Sequence, residues 1–160
     1  MVGADNQQER LKIGNFLAGF VEGEGSFNIS LRKKTDYKMG WQVVLSFNVS
    51  QRDPTLLYLL KQIIDCGIIK KRFDGVYSID ITTPKDVIFK VIPFFQEFPL
   101  RSSDKLKNFN LFVEASMLMK NGEHKNLIGL RKILEIREQI NLGKGRKRKY
   151  SIYDVFPKDF

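Results

Sequence analysis

Leu17-Ala18-Gly19-Phe20-Val21-Glu22-Gly23-Glu24-Gly25 reads as a helix built against its own stability. Phe16, Leu17, Phe20 and Val21 recur at helical spacing, yet Gly19 and Gly23 sit among them. Each interior glycine costs a helix about 1 kcal/mol relative to alanine. Gly19 and Gly23 are four residues apart and stack on one face. With Ala18 they leave that face almost free of side chain, so another backbone can approach it closely. Glu22 and Glu24 then close the segment, at the end of a helix where the dipole disfavours acids. Stability alone does not account for them. Gly25 follows, a common stop just past a helix.

Asn6 to Glu24 is predicted as the first helix. Ser26–Lys34 alternates, with Phe27, Ile29 and Leu31 on one side and Asn28, Ser30 and Arg32 on the other, the mark of a half-buried strand. Trp41–Ser50 alternates again, placing Trp41, Val43, Leu45, Phe47 and Val49 inward. Asp53-Pro54 opens a second helix, by a capping acid and a proline at the first helical position. Ile68–Phe73 and Val76–Thr82 form a second hairpin around Asp74-Gly75. Thr83-Pro84 opens a third helix, which Pro93 should bend or end. The order is helix, strand, strand, helix, strand, strand, helix, an α/β (α+β) pattern with an internal pseudo-repeat. A fourth helix starts at Ser102 or Ser103, and a fifth spans about Lys125–Asn141. Gly143–Lys149 is basic, and Tyr150–Phe160 is a short piece able to dock through Ile152, Val155 and Phe156. One domain over 1–160 is expected, with a core of about 6–141 and a basic segment plus extension over 142–160.

The chain has 160 residues, 42% of them apolar, and a formal charge of +9. That balance favours a polyanion, nucleic acid most simply and an acidic membrane surface otherwise. No apolar run approaches the roughly 18–20 residues of a membrane span, and Met1–Arg10 is polar, unlike a secretory signal. Cys66 is alone, which excludes an internal disulfide and suits a reducing, intracellular setting. His124 is the one histidine, so a zinc site of ordinary composition is excluded.

Four antiparallel strands with one polar face make a saddle. Its outward residues are Asn28, Ser30, Arg32, Gln42, Ser46, Asn48, Lys70, Arg72, Ser78 and Asp80, the amides and guanidinium groups suited to base edges. Lys33, Lys34, Lys71 and Arg146–Lys149 suit phosphate instead. An ordinary solvated sheet face is the competing reading for the first set, and a disordered tail or localisation signal for Arg146–Lys149.

Leu17 to Gly25 resembles the nine-residue signature of the LAGLIDADG homing endonucleases. Leu17, Ala18, Gly19 and Gly25 match it letter for letter, and Glu22 and Glu24 stand where it has Asp. The flanking Ser26-Phe27, Ser50-Gln51-Arg52, Phe98-Pro99-Leu100 and Glu123-His124-Lys125 extend the similarity over about 16–141. The resemblance implies an αββαββα core with further C-terminal helices, and a nuclease with Glu24 as the acid that ligates a metal. The Gly25 carbonyl is a possible second ligand. Gln51 would position water, and Lys105 would stand near the scissile phosphate, with Lys107 and Arg101 as competitors. Mg²⁺ is the expected ion, with Mn²⁺ able to substitute and Ca²⁺ binding without cutting. Because the signature occurs once, a C2 homodimer is expected, packed through Ala18, Gly19, Glu22 and Gly23 over a near-palindromic duplex and leaving 3′ overhangs. The alternative on the same fold is an RNA maturase acting on intron RNA, or a binder that does not cleave. An organelle or a prokaryotic cytoplasm would be the compartment of such an intron-encoded protein.

Overall fold

The computed structural model describes residues 3–142 and 147–157. Helix α1 (Ala4–Glu24) runs directly into strand β1 (Gly25–Lys33). Gly25 stops the helix, as its C-cap. Its backbone is extended, with φ −85° and ψ 157°. Close approach is what requires glycine here: a Cβ would lie 2.5 Å from Val21 Cγ1 and 3.0 Å from the Val21 carbonyl oxygen.

Strand β2 (Trp41–Gln51) pairs antiparallel with β1, from Gly25 opposite Val49 to Lys33 opposite Trp41. Helix α2 (Thr55–Ile64), strand β3 (Ile68–Lys71) and strand β4 (Tyr77–Ile81) follow. The two hairpins join through β2 and β4, giving the sheet order β1-β2-β4-β3. β3 is shorter than expected. It ends at Lys71, and Arg72 belongs to the turn, where the Gly75 amide donates to the Arg72 carbonyl at 3.1 Å and Gly75 takes φ 82°.

Pro93 does not end its helix. Helix α3 (Pro84–Asp86), a π-helical turn (Val87–Val91) and helix α4 (Ile92–Glu97) follow one another without a break. A proline ring collides with the carbonyl four residues back and supplies no N–H. Widening the turn before it to a π-helical repeat gives the ring room and shifts the bonding pattern. Helix α5 (Ser103–Lys120), a 3₁₀ turn (Glu123–Lys125), helix α6 (Leu127–Gln139) and helix α7 (Ile152–Val155) complete the order.

The inward strand residues follow the alternation in the sequence. Phe27, Ile29, Leu31, Val43, Leu45, Phe47 and Val49 are all buried. Phe27 is the hub, its ring centroid 5.1–5.5 Å from those of Phe47, Phe95, Phe109 and Phe112. Helices cover this one face and leave the other open. Tyr150, Ile152, Val155 and Phe156 pack against the core as expected, and α7 carries a capping box of Ser151 and Asp154. The expectations for Gly143–Arg146 lie outside the described residues, whereas Lys147–Lys149 lie within them.

Candidate nucleic-acid interface and catalytic centre

Glu24 is the last residue of α1 and is exposed. It lines a hollow of about 400 Å³ with Gly19, Gly23, Gln51 and Asp53. Gln51 reaches it from the end of β2, half-buried and opposite Tyr77. Sequence reading took Asp53 only as a helix cap. In the structure its Oδ1 accepts from the Thr55 hydroxyl at 2.6 Å and the Thr55 amide at 3.0 Å. Those two bonds hold its carboxyl below the usual carboxylate range. Asp53 therefore presents a negative charge to the hollow of Glu24. A spacing of 29 residues could not show this.

Lys105 is buried and its Nζ donates to the Gly25 carbonyl. Its competitors are elsewhere: Lys107 is exposed, and Arg101 is exposed with its backbone amide turned to Glu22. The Gly25 oxygen, expected as a metal ligand, is thus given to Lys105. A carbonyl keeps a second lone pair, but an ammonium already on that oxygen repels another cation.

Two residues assigned to the helix–helix face need correction. Ala18 is 4% exposed and belongs to the protomer's own core. Glu22 turns inward, where it accepts from the Arg101 amide, the Ser102 amide at 3.2 Å and the Ser102 hydroxyl. Burial alone would raise its carboxyl pKa. The Ser102 hydroxyl, the two amides and Lys105 outweigh burial and hold it below its ordinary value. Glu22 thereby serves as the acceptor at the N-terminus of α5, whose own Ser102 makes no side-chain cap. The physical reason is position: 22 lies four residues after the buried Ala18, so its side chain falls on the protein side of α1. What stays bare is Gly19 and Gly23. A Cβ on either would meet nothing within 4 Å, and Phe16 on the same side is 57% exposed.

On the open face of the sheet, register sets the outward residues in rows. Asn28 lies opposite Ser46, and Arg32 opposite Gln42. Asn48 joins Ser26 on one side and Asp80 on the other. Lys70 lies opposite Ser78. Ser30, Arg32 and Lys70 are exposed, while Asn28, Gln42, Ser46, Asn48 and Asp80 are half-buried. Ser78 is buried and donates to Asp80 at 3.1 Å. Arg72 is off the strand and paired with Asp74 at 2.6 Å, so its own turn partly satisfies it. Lys34 lies just past β1 in the exposed turn.

A buttress that the sequence did not reveal stands behind β1. Arg137 is 3% exposed and donates to the Ile29 carbonyl at 3.1 Å and the Tyr150 carbonyl at 2.8 Å. Burial, and next the charge of Arg148, push its guanidinium below the ordinary value, while Glu138 opposes them. Arg148 donates to the Arg137 and Ile140 carbonyls and to Glu138. These bonds seat Lys147–Lys149 beside Ser30, Asn28 and Asn48, around a hollow of about 750 Å³.

The sequence matches the model of the LAGLIDADG endonuclease family over residues 17–116. A "probable intron-encoded endonuclease 2" of Neurospora crassa is 32% identical over 89% of this chain. The match spans only 32% of that relative's length, and the next two relatives are covered to 24% and 25%. Among solved structures, the homing endonuclease I-TnaI superposes with a TM-score of 0.77 at 34% identity, covering 82% of this chain and 89% of that one. The LAGLIDADG homing endonuclease I-LtrWI, solved bound to its target DNA, gives 0.81 at 31% identity, covering 92% of this chain and 50% of that one. The same unit is thus nearly a whole chain in one neighbour and half a chain in the other.

Proposed function

This chain belongs to the LAGLIDADG homing endonucleases, and on that footing we propose that it cuts double-stranded DNA at a specific site, as a metal-dependent C2 homodimer. The observation that carries the reading is the outer side of α1. It is bare at Gly19 and Gly23 and ends in the exposed Glu24, beside a hollow with hard oxygen donors. Packing two such sides together brings one Glu24 from each copy to the dyad, one for each strand of a near-palindromic duplex. Staggered cuts with 3′ overhangs follow from the family resemblance.

The donor set fits a hard divalent ion. Glu24, Asp53 and the Gln51 amide oxygen are all oxygen donors. Among the described residues no group of three or more acidic, imidazole or thiol side chains could hold a metal ion. Mg²⁺ is satisfied by one or two carboxylates completed by phosphate and water, so one copy supplies its due share. Glu24 would hold the ion, which when bound supplies Lewis-acid chemistry at the phosphoryl group. Mn²⁺ would replace it, and Ca²⁺ would support binding alone. The chain's own residues do the rest. Gln51, fixed at a strand end, offers an amide to orient water. Lys105 is buried and held by the Gly25 carbonyl, so its charge is preorganised beside the backbone where negative charge develops on phosphate. The sheet face supplies the base-reading groups.

A cleavage selection from a random duplex library tests this, run in Mg²⁺, in Ca²⁺, and with Glu24→Gln. The parent cuts a defined site in Mg²⁺ alone. Glu24→Gln binds that site and cuts at least about a hundredfold more slowly, beyond the loss typical of groups that only support a metal ligand. Undiminished cutting by the variant rejects the assignment.

A further inference from the structure

Three asparagines form a chain beside the edge strand β1, and its polarity can be read from the backbone. The Asn141 amide N–H donates to Asn108 Oδ1 at 3.1 Å. Asn108 must then turn its Nδ2 toward Asn141, where it donates to Oδ1 at 3.0 Å. Asn141 Nδ2 is left facing β1. There it donates to the Phe27 carbonyl at 2.7 Å and to Asn28 Oδ1 at 3.1 Å. A backbone N–H can only donate and a carbonyl can only accept, so both ends of the chain are fixed and the side-chain amides between them have one consistent orientation. Ser26 does not decide the matter. Its hydroxyl lies 3.3 Å from Asn28 Oδ1 and 3.1 Å from Nδ2, and can serve either.

We infer that Asn141, backed by Asn108, is a positioning residue that locks Asn28 as a hydrogen-bond donor toward the DNA and so sets base preference at one position of the site. Asn28 faces the open side of the sheet with Ser30, Ser46 and Asn48. With one lone pair of its oxygen taken by Asn141 and one Nδ2 hydrogen turned to Ser26 Oγ at 3.1 Å, Asn28 has its second Nδ2 hydrogen to offer a base. A donor seats on guanine N7 and O6 or thymine O4, and meets the amino group of cytosine badly. The two-bond contact between asparagine and adenine needs the amide oxygen as well. The Asn141 bond ties that oxygen toward residue 141 and so disfavours the two-bond contact. Asn141 suits its place because its backbone has φ 56°, which asparagine tolerates better than most residues.

The inference rests on the sheet reading DNA, and the test separates the two. Binding selections from a random duplex library in Ca²⁺ are run with the full chain, Asn28→Ala, Asn141→Gly and Asn141→Asp, each with a melting curve. Asn28→Ala identifies the base pair, by loss of preference there alone. At that pair the parent favours guanine or thymine over cytosine by at least about fivefold, the lower end for a good polar contact. Asn141→Gly keeps the positive φ, frees the Asn28 amide to turn, and raises adenine. Asn141→Asp can only accept, turns Asn28 over, and raises cytosine; it carries the test if the glycine variant melts too low. A parent that prefers adenine, or folded Asn141 variants with the parent's profile, overturns the lock while leaving the sheet reading intact. An Asn28→Ala profile unchanged at every position overturns both.

Discussion

The two sides of α1 are built to opposite rules. On the inner side Leu17 and Val21 are fully buried, Gly14 lies beneath Phe98 so tightly that a Cβ would come within 2.3 Å of the ring, and Glu22 is bonded to the start of α5. Everything polar there has a partner within the chain. On the outer side, Phe16 and Glu24 are exposed and Gly19 and Gly23 face open space. Glu22 and Glu24 show the contrast in a single residue type. One is consumed in holding the fold, and the other stays exposed. A helix whose inner side is complete and whose outer side is bare is what the proposed two-copy packing requires.

The sharpest way to break that comparison is to fill the bare side. Gly23→Leu, alone or with Gly19→Leu, should leave the protomer folded, with the parent's far-UV circular dichroism. An added Cβ meets nothing within 4 Å, and an interior helix position gains about 0.5–1 kcal/mol on losing glycine. Sedimentation should show the two-copy mass lost, and cutting should fall at least about a hundredfold with it. Retention of a two-copy species by the folded variant would remove the outer side from the interface.

A smaller effect belongs to the inner side. Glu22→Ala should lower stability by about 1 kcal/mol, the usual worth of a helix-capping acceptor, and should leave the two-copy mass intact. Its pH dependence has a definite sign. The folded carboxyl titrates below its unfolded value of about 4.3. Its stabilisation is therefore complete above that pH and is lost as pH falls through the folded pKa. Urea midpoints measured from about pH 6 down to about pH 3 should converge for parent and variant at the acid end. A gap that persists there would mean that packing, not charge, is the source of the loss.

The smallest effect is expected at Arg10, which pairs with Glu97 through both guanidinium nitrogens across α1 and α4. Both partners are exposed, and solvent-exposed pairs contribute little. Arg10→Ala should leave melting within experimental scatter and cutting unchanged. A clear drop in either would show that the α1–α4 junction takes part in the interface.

Much of this was legible beforehand because it is local. Strict alternation in 26–34 and 41–50 fixed which side of β1 and β2 is buried, and the turn residues marked the second hairpin. The end of β3, the passage of the third helix through Pro93 and the extended Gly25 were not legible. Each depends on what packs against the backbone: Asp74 drawing Arg72 into the turn, a π-helical turn absorbing the proline ring, and Val21 crowding Gly25. At the site, Glu24 could be read from its signature position. Asp53, Arg137 and the Asn108–Asn141–Asn28 chain could not, because Glu24 lies 29 residues from Asp53 and the others bond to segments far away along the chain. Asn141 bonds to residues 33, 113 and 114 positions away.

By itself the sequence determined the family, the order of elements and which strand residues face the open side, since those follow from periodicity and short-range sterics. Only the tertiary structure decided which of two neighbouring glutamates is free, which of three cations touches the signature, and which way an asparagine amide points. Those outcomes depend on hydrogen-bond and charge partners brought together by packing, and one-dimensional spacing carries no record of them.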